Sequence, residues 1–356
     1  MKSPYFSNLY TLDGPILVTG HTGFKGSWLL LLLEALEIPC VGMSLQPKPD
    51  SLFLRAGLGD AQPEEFLDIR DVDGVELVFK KYKPSAVIHL AAQPLVLQSY
   101  VDPNETFETN VMGTINLLEA SFKNTEVQSF LGITTDKVYR NDNSGLRFKE
   151  NDPLEGKDPY SASKVGAESA LQAWRQISKV NSGPAILSLR AGNVIGGGDW
   201  AENRIIPDII RAISAGQSAV IRNPQSRRPW QHALDPLFGY LLALENSIVN
   251  PKSDCQIFNF GPDDASERVM DVVSTFQKVF NEKLTLDFPE GKSLELESIN
   301  LDLDSTLAKS KIGWKPRWSQ HQAIDKTAVW WQKVLFENEP SRQACESDIE
   351  DFLKSH

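Results

Sequence analysis

Tyr160 and Lys164 stand four residues apart, a Tyr-x-x-x-Lys pair that a helix would hold on one face. A lysine cation beside a phenol favours phenolate, which makes the tyrosine a base for a substrate hydroxyl. Thr135 closes an apolar run and offers another hydroxyl to the same oxygen. Asp136 and Lys137 follow it directly and add an acid and an amine to the proton-transfer inventory. An amphipathic helix start and a solvated charge pair are the plain alternatives for these residues.

A second constellation lies upstream. The run Ile16 to Thr19 passes into Gly20-His21-Thr22-Gly23-Phe24-Lys25-Gly26 and then into a helical pattern. This is G-x-x-G-x-x-G in the strand–turn–helix setting that dinucleotide binding requires. Gly20 permits the tight turn, Gly23 lets the backbone approach a pyrophosphate, and Gly26 lets helix and strand pack closely. Thr22, Phe24 and Lys25 complete the candidate cofactor turn. The helix N-terminus adds positive potential where the anion would sit. The second run ends Gly42-Met43-Ser44-Leu45-Gln46, with no carboxylate for a ribose hydroxyl, and Lys25 would suit a 2′-phosphate. NAD and NADP therefore both stay open on spacing alone. Asp68 and Ile69 are candidates for the adenine end, with a loop cap the alternative for Asp68.

These residues need a frame that brings them together. Runs at Pro15–Val18, Pro39–Ser44, Glu65–Asp68, Ala86–His89, Ser129–Thr134 and Ala185–Ser188 read as buried strands. Helical patterns at Ser27–Glu37, Val72–Lys81, Thr106–Phe122 and Tyr160–Lys179 separate them. The alternation predicts an α/β fold: a Rossmann-type, doubly wound parallel sheet. After Arg190 the pattern loosens around Gly196-Gly197-Gly198, Pro207, Pro224, Pro229 and Pro236. Residues 1–190 are expected to form the dinucleotide domain, with a return to it around 230–260. Residues 191–356 are expected to form a smaller, mostly helical C-terminal substrate domain.

Composition limits the partners. The chain has 356 residues, a formal charge of -11 and three cysteines without metal-ligand spacing, which implies reduced thiols and no metal. An acidic surface argues against a nucleic-acid polymer, though not against a small phosphorylated ligand. The apolar run Trp28–Leu33 falls well short of the roughly 20 residues of a membrane span. No signal-peptide core precedes Gly14, so the expected location is the cytoplasm.

Together these residues resemble the extended short-chain dehydrogenase/reductase superfamily over nearly the whole chain. The resemblance rests on the glycine turn, His89-Leu90-Ala91-Ala92-Gln93, Asn110-Val111-Met112-Gly113-Thr114 and Thr135/Tyr160/Lys164. Longer strings are similar to the CDP-glucose 4,6-dehydratases in particular: Gly20 to Trp28, Ala92-Gln93-Pro94-Leu95-Val96, Arg190 to Trp200, and Arg228-Pro229-Trp230-Gln231-His232. The resemblance implies a lyase on bound NAD in deoxysugar and surface polysaccharide synthesis. Tyr160 would serve oxidation at carbon 4, Asp136 would help expel water from carbon 6, and Lys137 would assist proton removal at carbon 5. Lys137 would have to be neutral at that moment or act by charge. Leu90, Ala91, Ala92 and Asn110 would face the cofactor, and Gln93 and Asn193 the sugar nucleotide. Arg228 matches the family's pyrophosphate arginine, with Arg204 and Arg222 as further candidates, since arginine pairs bidentately with phosphate.

Three departures fall on the substrate side: Leu97 where the family has arginine, Lys157 where it has tyrosine, and Glu295-Leu296-Glu297-Ser298 before Leu301-Asp302-Leu303-Asp304. A dehydratase or 4-epimerase for another nucleotide sugar is therefore the alternative reading. A redox-sensing binder would be expected to lack Tyr160 or Lys164, and both are present. Helices Thr106–Phe122 and Tyr160–Lys179 resemble the superfamily's subunit-pairing helices, which implies a homodimer or homotetramer.

Overall fold

The computed structural model describes residues 3–141, 145–288 and 301–355. Its centre is a sheet of β1 (Ile16–Thr19), β2 (Cys40–Ser44), β3 (Glu64–Phe66), β4 (Ala86–His89), β5 (Ser129–Thr135), β6 (Ala185–Ala191) and β7 (Ile257–Phe260). The order is β7-β6-β5-β4-β1-β2-β3, with every neighbouring pair parallel. Strand order reverses at β1, which lies between β2 and β4, so a crevice opens at the carboxyl ends there. His89 of β4 faces Gly132 of β5, leaving Ile133, Thr134 and Thr135 to project beyond the β4 edge.

The strands are apolar on both faces because helices cover both. On one side Ile16, Val18, Leu131 and Leu187 meet Trp28, Leu29 and Leu33 of α1 (Phe24–Ala35). On the other, Leu17, Val87, Phe130 and Ile186 meet α2 (Val72–Tyr82), α3 (Gly113–Lys123) and α4 (Pro159–Asn181) through Val75, Phe79, Leu117 and Leu171. The first side also receives Leu237 and Leu241 of α5 (Leu234–Val249), which leads into β7. The run Trp28–Leu33 is thus a core helix, buried all round.

Differences from the periodicity reading have local causes. Helix α1 starts at Phe24 rather than Ser27, because Gly23 already serves as its N-cap. β3 stops before Asp68, whose Oδ1 accepts the Arg70 backbone N–H at 2.9 Å and turns the chain. The single helix read over Thr106–Phe122 is three segments: Pro103–Phe107, a π-helical turn Glu108–Met112, and α3. The wide turn carries Asn110, which is buried and bonds inward.

Beyond residue 191 the chain forms helices Ile205–Ala215, Val269–Phe280, Gln320–Phe336 and Ser341–Lys354 and short strand pairs such as Arg227–Arg228 with Glu267–Arg268. Leu301 and Leu303 join Val138, Tyr139 and Phe148 in a small separate core. Among the described residues, no helix is long and apolar enough to cross a membrane, and no group of three or more His, Cys, Asp or Glu could hold a metal ion.

Candidate active site

At the tip of β1, Gly20 turns the chain with φ +74°. A Cβ there would lie 2.7 Å from the Ala91 nitrogen, and one on Gly26 would lie 2.2 Å from the Gly20 carbonyl. Both obstacles are backbone, which cannot swing aside, so the turn admits only glycine. No side chain caps α1 at Gly23, which leaves its first-turn amides to an anion. Thr22 Oγ1 donates to the Leu45 carbonyl at 3.1 Å and lies 2.8 Å from Ser44 Oγ, tying the turn to the tip of β2. Leu90 N–H donates to the Thr19 carbonyl at 3.1 Å and Ala91 N–H to Thr19 Oγ1 at 3.2 Å, with Phe24 and Ala92 half-buried nearby. This cradle of bare backbone fits the pyrophosphate of a dinucleotide.

Lys25 turns away from β2. Its ammonium donates to the Tyr240 hydroxyl at 2.8 Å, in the field of Lys164, Arg204 and Asp136. It is half-buried by surface yet densely surrounded, and burial, then the like charges of Lys164 and Arg204, lower it to about 7. Asp68 is clasped by the Arg70 guanidinium at 2.7 Å, which holds its carboxyl below the usual carboxylate range, and Ile69 is buried. Asn110 spends its amide within the protein: it accepts from Gln93 N–H at 2.8 Å and donates to the Gln93 carbonyl at 3.0 Å and Ser163 Oγ at 2.9 Å. It fixes the loop after β4.

The reaction centre sits where β5 overhangs. Thr135 Oγ1 donates to Asp136 Oδ1 at 2.9 Å and accepts the Lys137 N–H at 3.3 Å. Tyr160 is the second residue of α4. That helix starts there because Pro159 occupies the first position and Asp158 and Ser161 form a reciprocal capping box. Thr135 is a neighbour of the Tyr160 phenol, and Lys164 Nζ donates to the Ile133 carbonyl at 3.2 Å. The structure thus brings Thr135, Asp136, Tyr160 and Lys164 together, all buried, with Lys137 half-buried beside them.

Loss of water governs their ionisation. Burial pushes Tyr160 up to about 12, outweighing the nearby Thr135 hydroxyl, whose influence favours phenolate. Lys164 is lowered to about 8 by burial, against the opposing charge of Glu168. Asp136 is raised to about 6 by burial, against Lys137, the Thr135 hydroxyl and Arg228. The expected pull of Lys164 on the phenol is therefore not the dominant influence in this dry site. What the site offers instead is a carboxyl that keeps its proton close to neutral pH.

The arginines divide. Arg204 pairs with buried Asp199 at 3.0 Å, and its charge reaches Tyr160. Arg228 is half-buried, donates to the Arg227 carbonyl at 2.8 Å, and its charge reaches Asp136. Arg222 is exposed. Asn193 is half-buried just after β6. Gln93 folds its side chain onto Thr106 Oγ1 at 2.8 Å and the Leu95 N–H at 2.6 Å, which shapes the loop. Leu97 is 46% exposed, Lys157 donates to the Asn141 carbonyl, and Glu295-Leu296-Glu297-Ser298 lies outside the described residues.

Two contributors carry no local sequence signal. Ser99, fully buried, accepts the Tyr160 N–H at 3.1 Å from 61 residues away. Tyr240 sets the direction of Lys25 from 215 residues away. His89, inside a motif, was legible as a motif but not as a brace. It lies 2.7 Å from Thr19 Oγ1 and 2.9 Å from Thr114 Oγ1, and burial lowers it to about 3.

Comparison with known proteins agrees with this geometry. Residues 16–261 match the family described as NAD dependent epimerase/dehydratase. The chain is 37% identical to the CDP-glucose 4,6-dehydratase of Salmonella typhimurium over 347 residues, covering 96% of each chain. It is 26% identical to an Escherichia coli dTDP-glucose 4,6-dehydratase, covering 90% of this chain and 96% of that one. Among solved structures, the Thermus thermophilus UDP-glucose 4-epimerase in complex with NAD superposes with a TM-score of 0.75 at 25% identity, over 90% of this chain and all (100%) of that one. The dTDP-glucose 4,6-dehydratase of Streptomyces venezuelae, at 21% identity, shares the fold with a TM-score of 0.77, over 90% and 97%.

Proposed function

Because the chain belongs to the NAD dependent epimerase/dehydratase family, we propose that it is a nucleotide-sugar 4,6-dehydratase converting CDP-glucose to CDP-4-keto-6-deoxyglucose on bound NAD. The observation that carries the reading beyond the family is Asp136: a buried carboxyl that keeps its proton to about 6, bonded to Thr135 inside the Tyr160 centre. Oxidation and reduction at carbon 4 do not need it, whereas expelling a hydroxyl as water does.

Bound NAD supplies a reversible acceptor for the carbon 4 hydrogen, which returns at carbon 6. The chain's own residues do the rest. Thr135 holds the carbon 4 oxygen, Tyr160 takes its proton, and the Lys164 cation stabilises the phenolate. The ketone then acidifies carbon 5, and Lys137 either takes its proton as the neutral amine or favours its loss by charge. Asp136 protonates the departing carbon 6 hydroxyl. Arg204, Arg228 and Asn193 serve the sugar diphosphate, and the segments after residue 191 that lie outside the sheet and its covering helices supply that side of the cleft. With Lys25 directed to Tyr240 rather than to Ser44, Lys25 brings no cation to the β2 tip for a 2′-phosphate, which supports NAD over NADP. Exposed Phe107, Met112, Ile177 and Val180 beside the pairing helices support self-association.

Incubation with CDP-glucose, dTDP-glucose and UDP-glucose in parallel, followed by alkali, tests the proposal. Ultraviolet absorbance of a 4-keto sugar is expected from CDP-glucose above the other two. A 4-epimer as sole product, or preference for another nucleotide, would overturn it.

A further inference from the structure

Glu168 has no part in the steps above, yet it forms the floor of the reaction centre. It is 4% exposed and lies four residues after Lys164 on α4, so both side chains share a face. Oε1 accepts from Thr134 Oγ1 at 2.6 Å and from Arg190 Nε at 2.8 Å, and Oε2 accepts from Arg190 Nη2 at 2.9 Å. Thr134 precedes Thr135 on β5, and Arg190 faces it in register on β6. Arg190 extends the network: Nη1 donates to the Tyr139 hydroxyl at 2.8 Å and the Glu150 carbonyl at 2.9 Å, and Tyr139 donates to Asn259 Oδ1 at 2.7 Å. Tyr139 closes the turn that carries Asp136 and Lys137.

One carboxylate therefore joins the four places on which the centre is built: β5, β6, α4 and the Asp136 turn. Stability alone is a weak reason for such a device, because a buried ion pair contributes little over an apolar replacement of the same volume. We infer that Glu168 is a positioning residue: with Arg190 it sets the spacing of Thr135, Lys164 and the Asp136 turn, and it presents an anion on the helix face that Lys164 shares. The inference rests on the proposed use of Tyr160 and Lys164 in carbon 4 oxidation.

The charges around the pair agree. Lys164 is faced by Glu168 from its own helix, by Lys25 from α1 and by His89 from β4. Of these only Glu168 is an anion that opposes the burial lowering Lys164. Glu168 is faced by Arg190 from β6 and Arg175 from α4, with Tyr139 and Glu150 behind Arg190.

The test is the pH profile of carbon 4 oxidation in Glu168→Gln and Glu168→Asp, with bound cofactor and melting temperature measured alongside. The glutamine keeps the shape and loses the charge. The limb of its profile set by Lys164 is expected to move down by about one pH unit with cofactor content unchanged. The aspartate keeps the charge but withdraws from Thr134. Its limb should return to the wild-type position while kcat falls about tenfold. A glutamine profile superimposable on wild type in both limbs would overturn the inference. Should Glu168→Gln fail to fold around an unpaired Arg190, the charge-balanced Glu168→Gln/Arg190→Met protein carries the same expectation, and an unshifted limb there is equally fatal. The profile is read on whichever nucleotide sugar the wild type oxidises. An epimer as product would then sink the dehydratase reading while leaving this test intact.

Discussion

Around Gly20 the site is made by side chains that are missing, whereas around Tyr160 it is made by ionisable side chains taken out of water. At the glycine turn, backbone lies so close to backbone that a Cβ on Gly26 would meet the Gly20 carbonyl at 2.2 Å. At the reaction centre, Asp136, Tyr160 and Lys164 are buried and each is driven toward its neutral form. The first region works by shape and should be indifferent to pH. The second works by displaced protonation and should not be.

The largest expected effect that separates the regions comes from Tyr160→Phe. Ketone formation should fall by about 10²–10⁴-fold, while cofactor remains bound, as read by product assay and by cofactor released on denaturation. Gly26→Val is the mirror case. It should cost about 1–3 kcal/mol by overpacking and empty the dinucleotide site at every pH, measured by the same release assay and by denaturant titration. Were the valine protein to keep its cofactor, the steric account of the turn would be wrong.

Asp136→Asn sharpens the electrostatic side. Elimination should drop by about 10²-fold while carbon 4 oxidation persists, seen as reduced cofactor absorbance that no longer decays. The stability sign is opposite. Because burial raises Asp136 to about 6, the fold binds its proton more tightly than the unfolded chain does. That contribution is complete below about pH 4, the unfolded value, and is lost as pH climbs to about 6. Above that, the ionised carboxylate costs up to about 3 kcal/mol. The asparagine protein should therefore melt higher than wild type at pH 8, with the gap closing toward pH 4. A gap that does not vary with pH would place Asp136 in a wetter setting than the structure gives it. The smallest effect is Ser99→Ala, which removes the acceptor of the Tyr160 N–H. A loss of about 0.5–1.5 kcal/mol in transition-state stabilisation, or roughly two- to twelvefold in kcat, is expected with KM little changed.

The same contrast explains what the sequence disclosed. The glycine turn and the Tyr160–Lys164 pair are local patterns whose spacing is their geometry, and β1 to β6 alternate with helices in chain order. β7 does not, because it follows the irregular stretch after Arg190 and pairs with β6 across a long connection. Lys25 looked like a phosphate ligand from its place in the turn, but a long flexible side chain is aimed by its partner, and Tyr240 lies on α5. Asn110 and Gln93 stood out as motif members, yet their polar atoms are spent on each other and on Ser163 and Thr106. Resemblance singled out Arg228 and left Arg204 and Arg222 as further candidates, and tertiary packing separated the exposed Arg222 from the other two. Glu168 and Arg190 lie 22 residues apart on different elements, so only the strand register joins them.

In the proposed function, one centre oxidises carbon 4 and eliminates water across carbons 5 and 6. CDP-glucose carrying deuterium at carbon 4, incubated without added cofactor and analysed by mass spectrometry and proton NMR, tests it most directly. The expected product is a 4-keto-6-deoxy sugar with that deuterium at carbon 6. Deuterium still at carbon 4 of an epimer, or lost altogether from the product, would contradict it.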